Sequence, residues 1–140
     1  MVEMEIVYEG KLRCEATHGP SGEKLRTDAP KDNNGEGRYF SPTDLVAAAL
    51  GSCVLTTMAI AAQRHGIDLA GTRAHVTKQM QDKPVRKIGQ LELTVTFAHS
   101  FPEPQRVLLE SAAKACPVHQ SLDAGIDNPI HFVYPEGTSA

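Results

Sequence analysis

The chain opens on an alternating pattern. Val2, Met4, Ile6 and Tyr8 fill every second position, and after Glu9-Gly10 the same period returns at Leu12, Cys14 and Ala16. A period of two on either side of a turn residue predicts a β-hairpin with one apolar face. Gly19-Pro20-Ser21-Gly22 marks a second turn, and a short strand is expected around Lys24 to Thr27. The polar stretch Ala29 to Arg38, with its Gly and Asn residues, reads as a mobile loop.

The period then lengthens. Ser41 is a natural N-cap, Pro42 fits the first helical position where no amide donor is missed, and Asp44 completes a capping box near the positive end of the dipole. His65-Gly66 supplies the stop, which makes a helix of about six turns. From Leu45 to Ala62 it carries no charge, close to the roughly 20 apolar residues that span a bilayer. Its many alanines, with Gly51, Ser52, Thr56 and Thr57, leave it only mildly apolar. We therefore read it as the buried central helix of a globular protein, with no membrane partner.

Thr72 to Gln81 and Ile88 to His99 read as two long antiparallel strands, the second carrying Leu91, Leu93, Val95 and Phe97 on one face. Pro102 and Pro104 introduce a second helix. Its Val107, Leu108, Ser111, Ala112 and Ala115 are expected inside, and Arg106, Glu110 and Lys114 in solvent. Cys116 follows Ala112 by one turn and should face inward. Pro117 breaks the helix, a short helical turn through His119 and Leu122 can follow, and Ile130 to Tyr134 closes as a strand.

This order predicts a single α+β domain over residues 1–140, an antiparallel sheet packed on a long central helix. A helix apolar around its circumference needs cover on every side, more than one sheet and a short helix supply. A homodimer is therefore expected.

Composition narrows the function. The chain has 140 residues, 41% of them hydrophobic and only 5% aromatic, so its core must be aliphatic. A net charge of −3 gives no basic footprint for phosphate backbones, which argues against nucleic acid as a partner. The acidic start Met1-Val2-Glu3-Met4-Glu5 lacks the basic and apolar regions of a secretory signal, so a cytoplasmic location is expected. Three widely spaced cysteines cannot build a disulfide scaffold, and in a reducing compartment their interest is reactivity.

Cys53 sits mid-helix with Ala49, Leu50, Thr56, Thr57 and Ile60 at one-turn spacing, where a free Cys is ordinarily a small core residue. Cys116, just before Pro117, would occupy the N-cap of the next helical turn, where amide donors favour a thiolate. Cys14 shares a strand face with Leu12 and Ala16 and reads as structural. Cys116 and His119 also form half of a possible zinc site, with Cys53 and His65 as completions. Those two lie about 18 Å apart along one helix, too far for a single ion. No metal and no cofactor is expected.

The run Ser41-Pro42-Thr43-Asp44-Leu45-Val46-Ala47-Ala48-Ala49-Leu50-Gly51-Ser52-Cys53, followed by Ala115-Cys116-Pro117-Val118-His119, resembles the OsmC/Ohr family. The likeness extends from the first hairpin to the last strand and is closest to the less characterised OsmC-like branch. It implies an intertwined α+β homodimer and, by analogy with well-studied members, a thiol peroxidase acting on organic hydroperoxides and recycled by a dithiol reductant. On this reading Cys53 is peroxidatic and Cys116 resolving. The apolar surround of Cys53 would raise its pKa, so a nearby cation is expected to hold the thiolate.

Two positions depart from the family. Pro20 stands where Ohr-type members carry an arginine, and Thr43 stands where they carry a glutamate, with Asp44 one place along. Arg26 or Arg38 could supply the missing cation. Asp44 reads first as the helix cap, and about 15 Å of helix separates these positions from Cys53. The other reading is a non-enzymatic dimer that binds a small ligand and whose cysteines are structural.

Overall fold

The computed structural model describes residues 1–135 and 137–139, the last three through their backbone only. The chain forms two compact units, Met1–Val46 and Ala47–Ala140.

The first unit is a three-stranded antiparallel sheet in the order β1 (Met4–Gly10), β2 (Arg13–His18), β3 (Lys24–Asp28). Gly10, Lys11 and Leu12 all take positive φ, which turns β1 tightly into β2. The register places Ile6 beside Ala16 and Ala16 beside Leu25, and next to that row Tyr8, Cys14 and Thr27. One face is thus largely apolar. The other carries Glu15 between Lys24 and Arg26, and Arg26 also pairs with Glu9.

The polar stretch after β3 is closed by specific bonds. It contains a 3-10 turn at Lys31–Asn33, and the N–H groups of Gly35 and Gly37 donate to the carbonyls of Pro30 and Ala29. Asp28 is fully buried at its root, accepting from the Arg38 N–H at 3.0 Å and facing Arg13 Nε at 3.4 Å. The Arg38 N–H, with Arg13 assisting against the cost of burial, holds the Asp28 carboxyl below its ordinary pKa.

Helix α1 (Pro42–Gln63) begins as the capping box requires. The Ser41 N–H donates to Asp44 Oδ2 at 2.9 Å, and the Asp44 N–H donates to Ser41 Oγ at 3.1 Å. Its length and apolarity would suit a bilayer. Its buried stripe nevertheless runs Ala47, Leu50, Gly51, Val54, Met58, Ala62, the spacing of a helix laid against a sheet.

That sheet has four strands, β4 (Arg73–Gln81), β5 (Lys87–Thr96), β6 (Ile130–Tyr134) and β7 (Gly137–Ser139), in that order. Leu91, Leu93, Val95 and Phe97 are all buried, as the alternation along β5 requires. At Gly51 α1 comes close to the sheet: a Cβ there would meet Val76 Cγ2 at 3.0 Å.

The α+β class and the long central helix are as expected, but the strands divide between two sheets, and β5 pairs with β6 in parallel. The parallel pairing follows from the connection. The chain leaves β5, runs through α2 (Glu103–Lys114) and α3 (Pro117–Ser121), and returns in the same direction.

Helix α2 turns a different face inward from the one its apolar pattern suggests. Leu109 and Ala113 are buried while Val107 is 59% exposed. Arg106 lies over the Tyr134 ring at 4.3 Å, and the Tyr134 hydroxyl donates to Glu110 Oε2 at 2.8 Å. Two residues expected in solvent thus pack inward because Tyr134, itself stacked on Phe97, offers partners for both.

Candidate active site

Three elements meet at the second cysteine. Helix α2 ends at Lys114, the chain turns through Ala115, and α3 starts at Pro117. Cys116 therefore becomes the N-cap of α3, and its sulfur accepts from the His119 N–H at 3.4 Å. Its side chain is fully buried, on the line Leu109, Ala113, Cys116. Pro117 fits the first position of α3 because no N–H is needed there.

Cys53 arrives from α1, one turn after the buried Leu50 and Gly51. It is half-buried, and all three cysteines are free thiols. The thiols of Cys53 and Cys116 are neighbours, and each acts on the ionisation of the other. The Val118 N–H and the Thr57 hydroxyl also serve Cys53, the latter at 3.8 Å. Residues far apart in the chain thus form one dithiol, and Cys14 takes no part in it: it lies in the first sheet between Tyr8 and Thr27.

The electrostatics separate the two thiols. Burial would push Cys53 up, but donation from Cys116, from the Val118 N–H and from Thr57 outweighs it and sets the pKa below the ordinary thiol value. Cys116 goes the other way. Burial raises it first, and its role as donor to Cys53 raises it further, against the N–H groups of His119 and Val118. The N-cap position expected for Cys116 is found, but the thiolate it was expected to favour falls to Cys53.

The pair is therefore asymmetric. One member is accessible and thiolate-prone; the other is buried and protonated. Two such thiols are chemically unequal, the first being the readier nucleophile.

The remaining candidates lie in the first unit, each engaged locally. Arg26 pairs with Glu9 at 3.5 Å and Glu15 at 4.0 Å, and Tyr39 and Glu9 hold its guanidinium more firmly charged. Arg38 Nε pairs with Glu36 at 3.3 Å. Thr43 Oγ1 is 3.2 Å from Ser41 Oγ, and Asp44 caps α1. A cation was expected to lower Cys53; the lowering found here comes from hydrogen-bond donors. Thr57 could be picked out as the residue four places on from Cys53, whereas the Val118 N–H has no side-chain signature.

An α+β chain with two sheets and a paired dithiol between its long helix and the helix break defines the class. Residues 35–129 match the OsmC-like protein family, and the chain belongs to that family. Among solved structures, a protein of Psychrobacter arcticus 273-4, named for osmotic stress induction and a detoxification response, is 38% identical. The match covers 94% of this chain and 96% of that one, with a TM-score of 0.89. An OsmC-like protein of Mycoplasma pneumoniae is 18% identical, with a TM-score of 0.79 over 96% of each chain. An organic hydroperoxide resistance protein of Legionella pneumophila is 17% identical, with a TM-score of 0.72 over 94% of this chain and 96% of its own. These last two share the fold. No curated protein matches the chain closely enough to count as a relative.

Proposed function

We propose that the chain reduces organic hydroperoxides by a two-cysteine mechanism, as a cytoplasmic homodimer. The observation that carries this is the meeting of Cys53 and Cys116 with opposed pKa directions. The Cys53 thiolate attacks the peroxide oxygen, the O–O bond breaks, and alkoxide leaves to become an alcohol, with Cys53 left as a sulfenic acid. Cys116 then attacks that sulfur, water departs, and a disulfide forms. An external dithiol reduces the disulfide and is itself oxidised. The aliphatic run of α1 on which Cys53 sits, with Ala49 and Leu50 before it and Ile60 beyond, favours an apolar peroxide over hydrogen peroxide.

Hydroperoxide resistance named for distant members of the same fold supports the substrate class. The test is mass spectrometry after one equivalent of cumene hydroperoxide. The expected product is a Cys53 to Cys116 disulfide. Cys53→Ser should abolish turnover, and Cys116→Ser should slow recycling alone. Unchanged turnover in Cys53→Ser would reject the proposal and leave the structural reading of the cysteines standing.

A further inference from the structure

Disulfide closure asks Cys116 to lose a proton as it attacks, and its setting opposes that loss. The thiol is fully buried, and burial and donation to Cys53 both keep it protonated. The groups acting on it are Cys53 and the N–H groups of His119 and Val118, none of which can take a proton from it once Cys53 is a sulfenic acid. Lys114, at the end of α2, is exposed, and the Lys87–Asp123 pair lies beyond α3 on the surface.

The His119 side chain differs. Its Nδ1 is buried and makes no hydrogen bond. A buried polar atom without a partner is uncommon, because its lost hydration goes uncompensated. Nδ1 is also the ring nitrogen nearest its own backbone, and that backbone N–H sits 3.4 Å from Cys116 Sγ. The Cys-x-x-His spacing, which reads as half a metal site, also sets an imidazole three residues along from a buried thiol.

We propose that His119 is the proton acceptor of the dithiol, its Nδ1 taking the Cys116 proton as the Cys116 sulfur closes on Cys53. This rests on the two-cysteine reading above. The Cys116 S–H bond breaks and its proton goes to Nδ1, while the sulfur's electron pair forms the new S–S bond. The S–O bond of the Cys53 sulfenic acid breaks, and hydroxide leaves with the imidazolium proton as water. Cys116 sulfur is oxidised, Cys53 sulfur is reduced by the same amount, and His119 ends neutral.

The decisive variant is His119→Asn, whose amide oxygen takes the place of Nδ1 as an acceptor without being basic. In stopped-flow experiments with cumene hydroperoxide, formation of the Cys53 sulfenic acid should stay within about twofold of wild type. Closure at pH 7 should slow by about 100-fold, the lower end for loss of a general base. It should then recover about tenfold per pH unit as hydroxide replaces the imidazole, while the wild-type rate depends on pH less steeply. His119→Gln, equally non-basic, should show the same slow closure. Closure at the wild-type rate in either variant overturns the proposal, as does an equal slowing of both steps, the mark of a structural role.

Diamide provides a second, peroxide-free route to the same step. Its Cys53 adduct is attacked by Cys116, the S–N bond breaks, and the hydrazide leaves with the proton. If peroxide leaves wild-type Cys53 unoxidised, the peroxidase reading fails. The diamide arm still decides the role of His119, by whether closure slows in the Asn variant.

Discussion

A thiol among aliphatic side chains should be a poor nucleophile, because burial disfavours its charged form. Cys53 escapes this through three donors, the Cys116 thiol, the Val118 N–H and the Thr57 hydroxyl. A free thiol near pKa 8.5 is only about 3% ionised at pH 7, so any lowering raises reactivity at once. Thr57→Val removes one donor at nearly constant shape. With a net hydrogen bond of about 0.5–1 kcal/mol lost, alkylation of Cys53 at pH 7 should slow by roughly two- to fivefold, and its pH profile should move to higher pH. Peptide mapping of iodoacetamide labelling at Cys53 reads this directly, and an unmoved profile would remove Thr57 from the site. The sign carries over to stability. With a folded pKa below the unfolded one, ionised Cys53 contributes stability above the unfolded value, and that contribution fades as pH falls through the folded value. Both cysteines were legible in the sequence as a motif pair. That Cys53 would hold the charge followed from the family resemblance, but its cause did not: a cation was expected, and a backbone N–H, a hydroxyl and a neighbouring thiol lower the pKa instead.

At the scale of the element, legibility followed local determinants. The bounds of α1 and β6 could be read from a capping box, a glycine stop and a period of two. The inward face of α2 could not, because Arg106 and Glu110 are polar by type and become half-buried through their contacts with Tyr134. The division into two sheets, and the parallel pairing of β5 with β6, depend on contacts distant in sequence, which periodicity does not encode. Gly51 is a local oddity with a distant reason. Mid-helix glycine costs about 1 kcal/mol relative to alanine, yet an added Cβ would press on Val76 Cγ2 at 3.0 Å. Overpacking of this kind costs about 1–3 kcal/mol, so Gly51→Ala should destabilise by about 1 kcal/mol in urea titrations. In a Val76→Ala background the clash is gone, and the same change should stabilise by about 1 kcal/mol. The same sign in both backgrounds would mean that close approach to β4 is not what keeps this residue small.

For the whole molecule, the distribution of buried apolar side chains sets the problem. Among the described residues every one of them lies at Ala47 or beyond, while the first unit buries only the polar Asp28 and Ser41. Its sheet instead shows Met4 at 59%, Ile6 at 60%, Tyr8 at 62% and Leu25 at 46% exposure. These residues occupy the apolar face that alternation predicted, with Ile6, Ala16 and Leu25 in one row. A three-stranded sheet is stable only with its apolar face packed against something, and contiguous apolar patches of this kind mark interfaces. The occupant we propose is a second copy of this chain, whose own α1 presents Ala48, Ser52, Ala59 and Ile60 in solvent. Sedimentation at low micromolar concentration should then give the dimer mass, and the thermal midpoint should rise with protein concentration. Ile6→Glu, on the apolar face of the first unit's sheet, should weaken association by at least tenfold, about 1.4 kcal/mol. A folded monomer of unchanged stability at those concentrations would mean that this apolar face tolerates water, and the dimer would have to be given up.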